Sequence, residues 1–314
     1  MDFIQKGFTG KNDSWRYILT MVLVFIGIQI AGLPLVIAAF FEVDGDLDKF
    51  QEGLKSNFMD IGMNTSLFLF LMIFTFMIAL LTLFLCVKYL HKKKFVSIVT
   101  SRNKIDWKRV FFAFALWGII SVVSIFIGMY LSPENYTWNF KPIPFFTLLF
   151  VSFVFLPFQT SAEELVFRGY LMQGLGTLVK NRWFPLIVTS VIFGLLHGMN
   201  PEVERLGYIL MVFYIGTGLL YGITTLMDEG TELALGLHAS NNIVAAFLVT
   251  TDWMVFRTDA LYVDTSEPSV GAEMFIGVFV LYPLLLLVFS KKYGWANWKN
   301  KLVGKVEIPV IGEQ

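Results

Sequence analysis

The chain has 314 residues, of which 56% are hydrophobic and only 15% charged, a balance foreign to a water-soluble domain of this length. Its formal net charge is zero, so the whole chain offers no polybasic surface and nucleic acid is excluded as a partner. The composition points to an integral membrane protein, expected to be all-α: a polytopic bundle of transmembrane helices in contact with membrane lipids.

Lys6 and Lys11 precede an apolar run that reaches Phe41, longer than the roughly 7 to 15 apolar residues of a cleavable signal, so this run is expected to stay as the first span. Asp2 follows Met1 and the end Val-Ile-Gly-Glu-Gln contains no cysteine, so no lipidation signal is evident. Apolar segments able to cross a bilayer about 30 Å thick recur at 16–41, 62–90, 110–131, 143–159, 183–197, 207–227, 231–250 and 272–290, roughly eight spans. Three regions follow: N-terminal spans with a basic loop (1–142), a central segment rich in intramembrane polar residues (143–250), and a polar loop, last span and basic tail (251–314). Cys86, the single cysteine, reads as a small buried apolar side chain.

The spans 143–159 and 183–197 look short and flank Glu163-Glu164. Pro157 should interrupt the first, because it removes a helical hydrogen bond. The helix is then expected to restart through a cap at Thr160 or Ser161, with each glutamate three residues after a capping hydroxyl, and to run to about Lys180. The segment from His91 to Lys108 reads as a solvated basic loop near anionic headgroups, His91 included. Lysine and arginine cluster at 6–16, 88–94, 102–109, 180–182 and 291–305, alternating with loops rich in aspartate at 44–60 and 252–264. This bias predicts a multi-pass protein of the cell membrane with both termini cytoplasmic.

Charged groups inside an apolar tract cost several kcal/mol each, roughly 2.5 to 3.5 on insertion scales, unless they are paired or face water. Glu164 and Arg168 are four apart on a helix, so they stack on one face and can neutralise each other. Glu163 is rotated from Glu164 by about 100° and must find its partner on another helix. A carboxylate held in low dielectric without a close cation suits a general base working near neutral pH. His197 closes the span 183–197 between Gly194 and Gly198, a small-x-x-x-small pair that lets a neighbouring helix approach. His238 and Asn242, again four apart, point the same way from the span 231–250, and N–H donors on one face can hold a developing oxyanion. Plainer roles exist for each residue alone: glutamates capping a helix, a snorkelling Arg168, and a histidine or asparagine bonding between helices.

Taken together, Glu163-Glu164-Leu-Val-Phe-Arg168, Phe193-Gly-Leu-Leu-His197 and His238-Ala-Ser-Asn-Asn242 resemble the motifs of the CPBP family of intramembrane proteases, also called the Abi or type II CAAX prenyl protease family. The resemblance implies an intramembrane endopeptidase that cleaves a lipidated or membrane-inserted peptide substrate. It implies that Glu163 and His197 activate a water, that His238 and Asn242 stabilise the oxyanion, and that Glu164 and Arg168 support them. It implies no obligatory cofactor; were zinc bound, Glu163, His197 and His238 would be its ligands. Intramembrane Glu, His and Asn also line the paths of proton- or cation-coupled transporters, and a non-catalytic bacteriocin-immunity type of membrane protein is a further alternative.

Overall fold

The computed structural model describes residues 1–309; residues 310–314, at the end of the expected basic tail, lie outside the described residues. Helices occupy all of the expected spans: α1 (Ser14–Glu42), α2 (Thr65–Leu85), α3 (Trp107–Leu131), α4 (Pro142–Glu164), α5 (Met172–Val179), α6 (Trp183–Leu196), α7 (Met211–Asp228), α8 (Glu232–Phe247) and α9 (Tyr282–Tyr293). Among the described residues six helical runs are long and apolar enough to cross a membrane, and the protein is an all-α polytopic bundle. Helix ends coincide with local signals. Pro142 opens α4, the Asn64 side chain accepts the Leu67 N–H to cap α2, and Lys180 and Gly294 adopt left-handed φ where α5 and α9 stop.

Helix α8 sits at the centre. Twelve of its 16 residues are buried, against a bundle in which the outer helices turn large apolar side chains outward to lipid. It packs on α3, α4 and α7. Gly236 makes the α3 contact possible: a Cβ there would stand 2.2 Å from the Val110 carbonyl oxygen. Gly194 does the same for α6 and α7, where a Cβ would meet Ile215 at 2.4 Å. Its counterpart is Gly218 of α7, close against Ser190, whereas a Cβ on Gly198 would meet nothing within 4 Å. The expected Gly194/Gly198 pair is therefore corrected to two separate close approaches, Gly194 against Ile215 and Gly218 against Ser190.

The restart after Pro157 does not occur. Helix α4 runs unbroken through Pro157 to Glu164, widens into a π-turn over Leu165–Leu171 and continues as α5, one run of 38 residues. Thr160 Oγ caps nothing; it bonds back to the Leu156 carbonyl at 3.3 Å. The reason is the solvent: in lipid, breaking the helix would strand several backbone groups, whereas proline strands one carbonyl. Glu163 and Glu164 consequently close α4 rather than open a helix, next to the kind of π-turn often found at functional sites.

The basic segments all gather at one end of the bundle. Asp2 pairs with Arg182, Phe3 N–H and Lys301 both reach Glu229, and Val306 N–H bonds the Lys180 carbonyl at 2.9 Å. The first residues and the segment up to Val306 thus lie on the same side. At the opposite end Arg257 pairs with Asp60, and strands β1 (Tyr136–Trp138), β2 (Val249–Thr250) and β3 (Tyr262–Asp264) form a small sheet in the order β1-β3-β2. The segment after α2 is not the solvated loop expected. His91 is fully buried, its Nδ1–H donating to the Lys11 carbonyl at 2.7 Å and its Nε2 accepting from Tyr170 at 2.6 Å. Lys93 is buried too, donating to the Gly7 carbonyl at 2.7 Å, because the N-terminal residues fold back over this segment.

Candidate active site

The four-residue spacing of Glu164 and Arg168 delivers the pair it predicts. Both side chains are fully buried, with Arg168 Nη1 3.1 Å from Glu164 Oε1. The other face of the guanidinium lies over the Phe193 ring at 4.3 Å, and Arg168 Nη2 donates to the Gly218 carbonyl at 3.1 Å. A second partner comes from α8: His238 Nδ1 is 2.8 Å from the same Glu164 Oε1. A carboxylate only accepts, so His238 carries its Nδ1 proton toward Glu164. The Tyr221 ring stacks on that imidazole at 5.1 Å and fixes its plane.

Glu163 is arranged differently. Gln159, one turn earlier on α4, donates its Nε2–H to Glu163 Oε1. Glu163 Oε2 is buried without a hydrogen-bond partner among the described residues and lies 3.8 Å from His238 Nε2. That separation is too long for a direct hydrogen bond. Asn242, four residues beyond His238 on the same face of α8, donates Nδ2–H to Gln159 Oε1 at 2.9 Å. Glu163, Glu164, Arg168, His238 and Asn242 are thus brought together by α4, the π-turn and α8.

His197 stands at the edge of this group. It lies in a short 3-10 turn at the end of α6, and its Nδ1–H donates back to the Phe193 carbonyl at 2.8 Å. Its ring stacks on Tyr214 of α7 at 4.6 Å and lies 4.7 Å from the Phe193 ring, which is in turn 5.9 Å from His238. Among the described residues no hydrogen bond or ion pair joins His197 to Glu163. Because a carbonyl can only accept, the Nδ1 proton leaves His197 Nε2 as a free acceptor. Tyr214 is itself held, its hydroxyl donating to the buried Glu202 carboxylate at 2.5 Å. A zinc site made of Glu163, His197 and His238 does not fit this donor set: among the described residues no three His, Cys, Asp or Glu side chains are grouped as metal ligands.

Gln159, Tyr214, Tyr221 and Trp117 escaped the sequence reading. For Gln159 there was a signal, since it precedes Glu163 by four residues and must share its face. The aromatic residues carried none in a chain with 33 phenylalanines, 11 tyrosines and 8 tryptophans.

A membrane-embedded helical bundle brings two adjacent glutamates, an arginine, a histidine and an asparagine together in its interior, with a second histidine at the edge of the group. Residues 142–244 match the sequence model of the type II CAAX prenyl endopeptidase Rce1-like family, which supports the resemblance of the three motifs to the CPBP (Abi) family. The chain is also similar to the uncharacterized protein YyaK of Bacillus subtilis (strain 168), 28% identical over 293 residues that cover 90% of this chain and 94% of that one. No solved structure matches the chain.

Proposed function

We propose that the chain is an intramembrane endopeptidase in which Glu163 activates a water against a peptide bond of a lipidated or membrane-inserted substrate. One observation carries this reading: Glu164 is paired with Arg168 and accepts from His238, while Glu163, with no cation bonded to it, keeps a buried Oε2 without a hydrogen-bond partner among the described residues, 3.8 Å from His238 Nε2. In the first step Glu163 Oε2 takes a proton from water, with His197 Nε2 accepting the other water hydrogen as an orienting contact. The hydroxide oxygen adds to the scissile carbonyl. The resulting oxyanion is met by the remaining Asn242 Nδ2–H and by Nε2–H of His238 in its cationic form, whose Nδ1–H stays on Glu164. As the C–N bond breaks, Glu163 returns its proton to the leaving amine.

Every step uses the protein's own groups, and the expected proteolysis survives chelator treatment. By the positive-inside rule, the end that gathers the first residues and the basic clusters is cytoplasmic. The test is cleavage, by purified protein in proteoliposomes, of a quenched fluorescent peptide carrying a farnesylated cysteine followed by three aliphatic residues, beside an unlipidated membrane-inserted peptide. Wild type should cut at least one of them. Glu163→Gln, present in the membrane at wild-type level, should cut neither, and full turnover by this variant would defeat the reading.

A further inference from the structure

Behind Glu163 runs a line of hydrogen bonds that begins on a different helix. Trp117 Nε1–H of α3 donates to Asn241 Oδ1 at 3.2 Å, Asn241 Nδ2–H to Asn242 Oδ1 at 3.2 Å, and Asn242 Nδ2–H to Gln159 Oε1 at 2.9 Å. Gln159 Nε2–H then donates to Glu163 Oε1. Four donors in series all point toward the carboxylate.

The two ends of the line dictate that direction. An indole N–H can only donate, so the Asn241 atom facing Trp117 must be its oxygen. Its NH2 must then face Asn242 Oδ1, which turns the Asn242 NH2 to Gln159 Oε1 and the Gln159 NH2 to Glu163. At the far end a carboxylate can only accept, which requires the same orientation. Neither end conflicts with the other, and no amide can flip without setting two donors or two acceptors face to face. The anchor is rigid as well. Trp117 is 9% exposed, and the residue after it, Gly118, lets Ser240 of α8 come so close that a Cβ would sit 2.8 Å from its hydroxyl.

Building on the proposed peptidase reading, we infer that Trp117, Asn241 and Gln159 are positioning residues: a one-way amide relay that fixes Glu163 with Oε2 toward the reacting water and Asn242 with one N–H left for the oxyanion. Each NH2 group has two hydrogens, and the relay uses one of those on Asn242. The indole therefore sets the orientation of a base that it does not touch. Relays of this kind strengthen cooperatively in a low-dielectric interior, so a break at the far end is felt at the carboxylate.

The full chain is tested in proteoliposomes with the farnesylated quenched peptide, and the Glu163 carboxylate is followed by the infrared band that disappears in Glu163→Gln. Trp117→Phe keeps an aromatic ring, though a smaller one, and removes the donor. Asn241→Asp is isosteric, still accepts from Trp117, and in its ionised form can no longer donate to Asn242. Both are expected to lower kcat about tenfold with KM little changed, the signature of an interaction used in the transition state, and to shift the Glu163 carboxylate band. A merely structural role for Trp117 would lower the folded fraction and leave kcat per folded molecule and the band where they were. Wild-type kcat with an unshifted band in both variants overturns the relay, even while Glu163→Gln stays inactive. Should Trp117→Phe fail to fold, Asn241→Asp carries the same two readouts. If Glu163→Gln retains turnover, the assignment of the base fails, and the infrared shift still decides whether the relay exists.

Discussion

Two groups of buried carboxylates lie along this bundle, and they are built to opposite rules. At the basic end, Asp228 and Glu232 sit between Arg102 and Arg109: Asp228 Oδ1 receives Arg109 and Trp295, its Oδ2 receives Arg102 at 3.1 Å, and Glu232 takes Arg102 at 3.3 Å and the Asp106 N–H at 3.2 Å. Every oxygen there has a donor. In the membrane interior, Glu163 and Glu164 each keep one buried oxygen that no described residue satisfies. Leaving a buried acceptor unmade costs about 1 to 3 kcal/mol, and more for a charged group. The first group is a clamp that ties α3 to α7 and α8. The second forgoes that satisfaction, which on the proposed reading keeps a proton acceptor open for chemistry.

The contrast can be broken from either side. The largest effect is expected at Glu163: Glu163→Gln should lower turnover of the proteoliposome substrate by roughly 100- to 10,000-fold, the range of a lost general base, without lowering thermal stability. Asp228→Asn should do the reverse, leaving turnover per folded molecule near wild type while the detergent-solubilised protein melts earlier. Its loss is expected near 2 kcal/mol, below that of a fully enclosed ion pair because Arg102 is 27% and Arg109 18% exposed. A stability loss in Glu163→Gln matching that of Asp228→Asn would erase the distinction between the two groups.

A third buried charge sharpens it. Among the described residues Lys93 has only the Gly7 carbonyl and the Tyr17 hydroxyl as hydrogen-bond partners, and burial pushes its ammonium down from 10.5 to about 8. The folded chain therefore releases this proton at lower pH than the unfolded chain, so between those two values the unfolded state binds more protons and stability rises with pH. Melting followed across pH should show that rise from about 8 toward 10.5, and Lys93→Met should flatten it. The smallest effect is expected at Tyr214. Tyr214→Phe keeps the stack on His197 and loses only the hydroxyl's bonds to Glu202 and Asn200, so turnover should fall less than about threefold, while Tyr214→Leu, which removes the stack, should cost more.

Much of this was legible in the residues. Apolar run lengths placed the spans, and the four-residue spacings put Glu164 with Arg168 and His238 with Asn242, because those rules act within one helix. What crosses between helices was not legible. Nothing local says that His238 turns its Nδ1 to Glu164 and its Nε2 toward Glu163, or that His197 spends its ring on Tyr214. Arg102 and His91 read as solvated because their partners, Asp228, Glu232 and the N-terminal carbonyls, are far away in sequence. Pro157 misled for a different reason. Its rule comes from water, where a broken helix is resolvated, and lipid holds the helix together through it.

Single-turnover cleavage in water enriched in oxygen-18, read by mass spectrometry of both product and protein, tests the role of Glu163 most directly. A carboxylate acting on water leaves one heavy oxygen in the new C-terminal carboxyl of the product and none in Glu163. Heavy oxygen in the Glu163 side chain, with an unlabelled first product, would mean that the carboxylate attacks the peptide itself and would contradict the account.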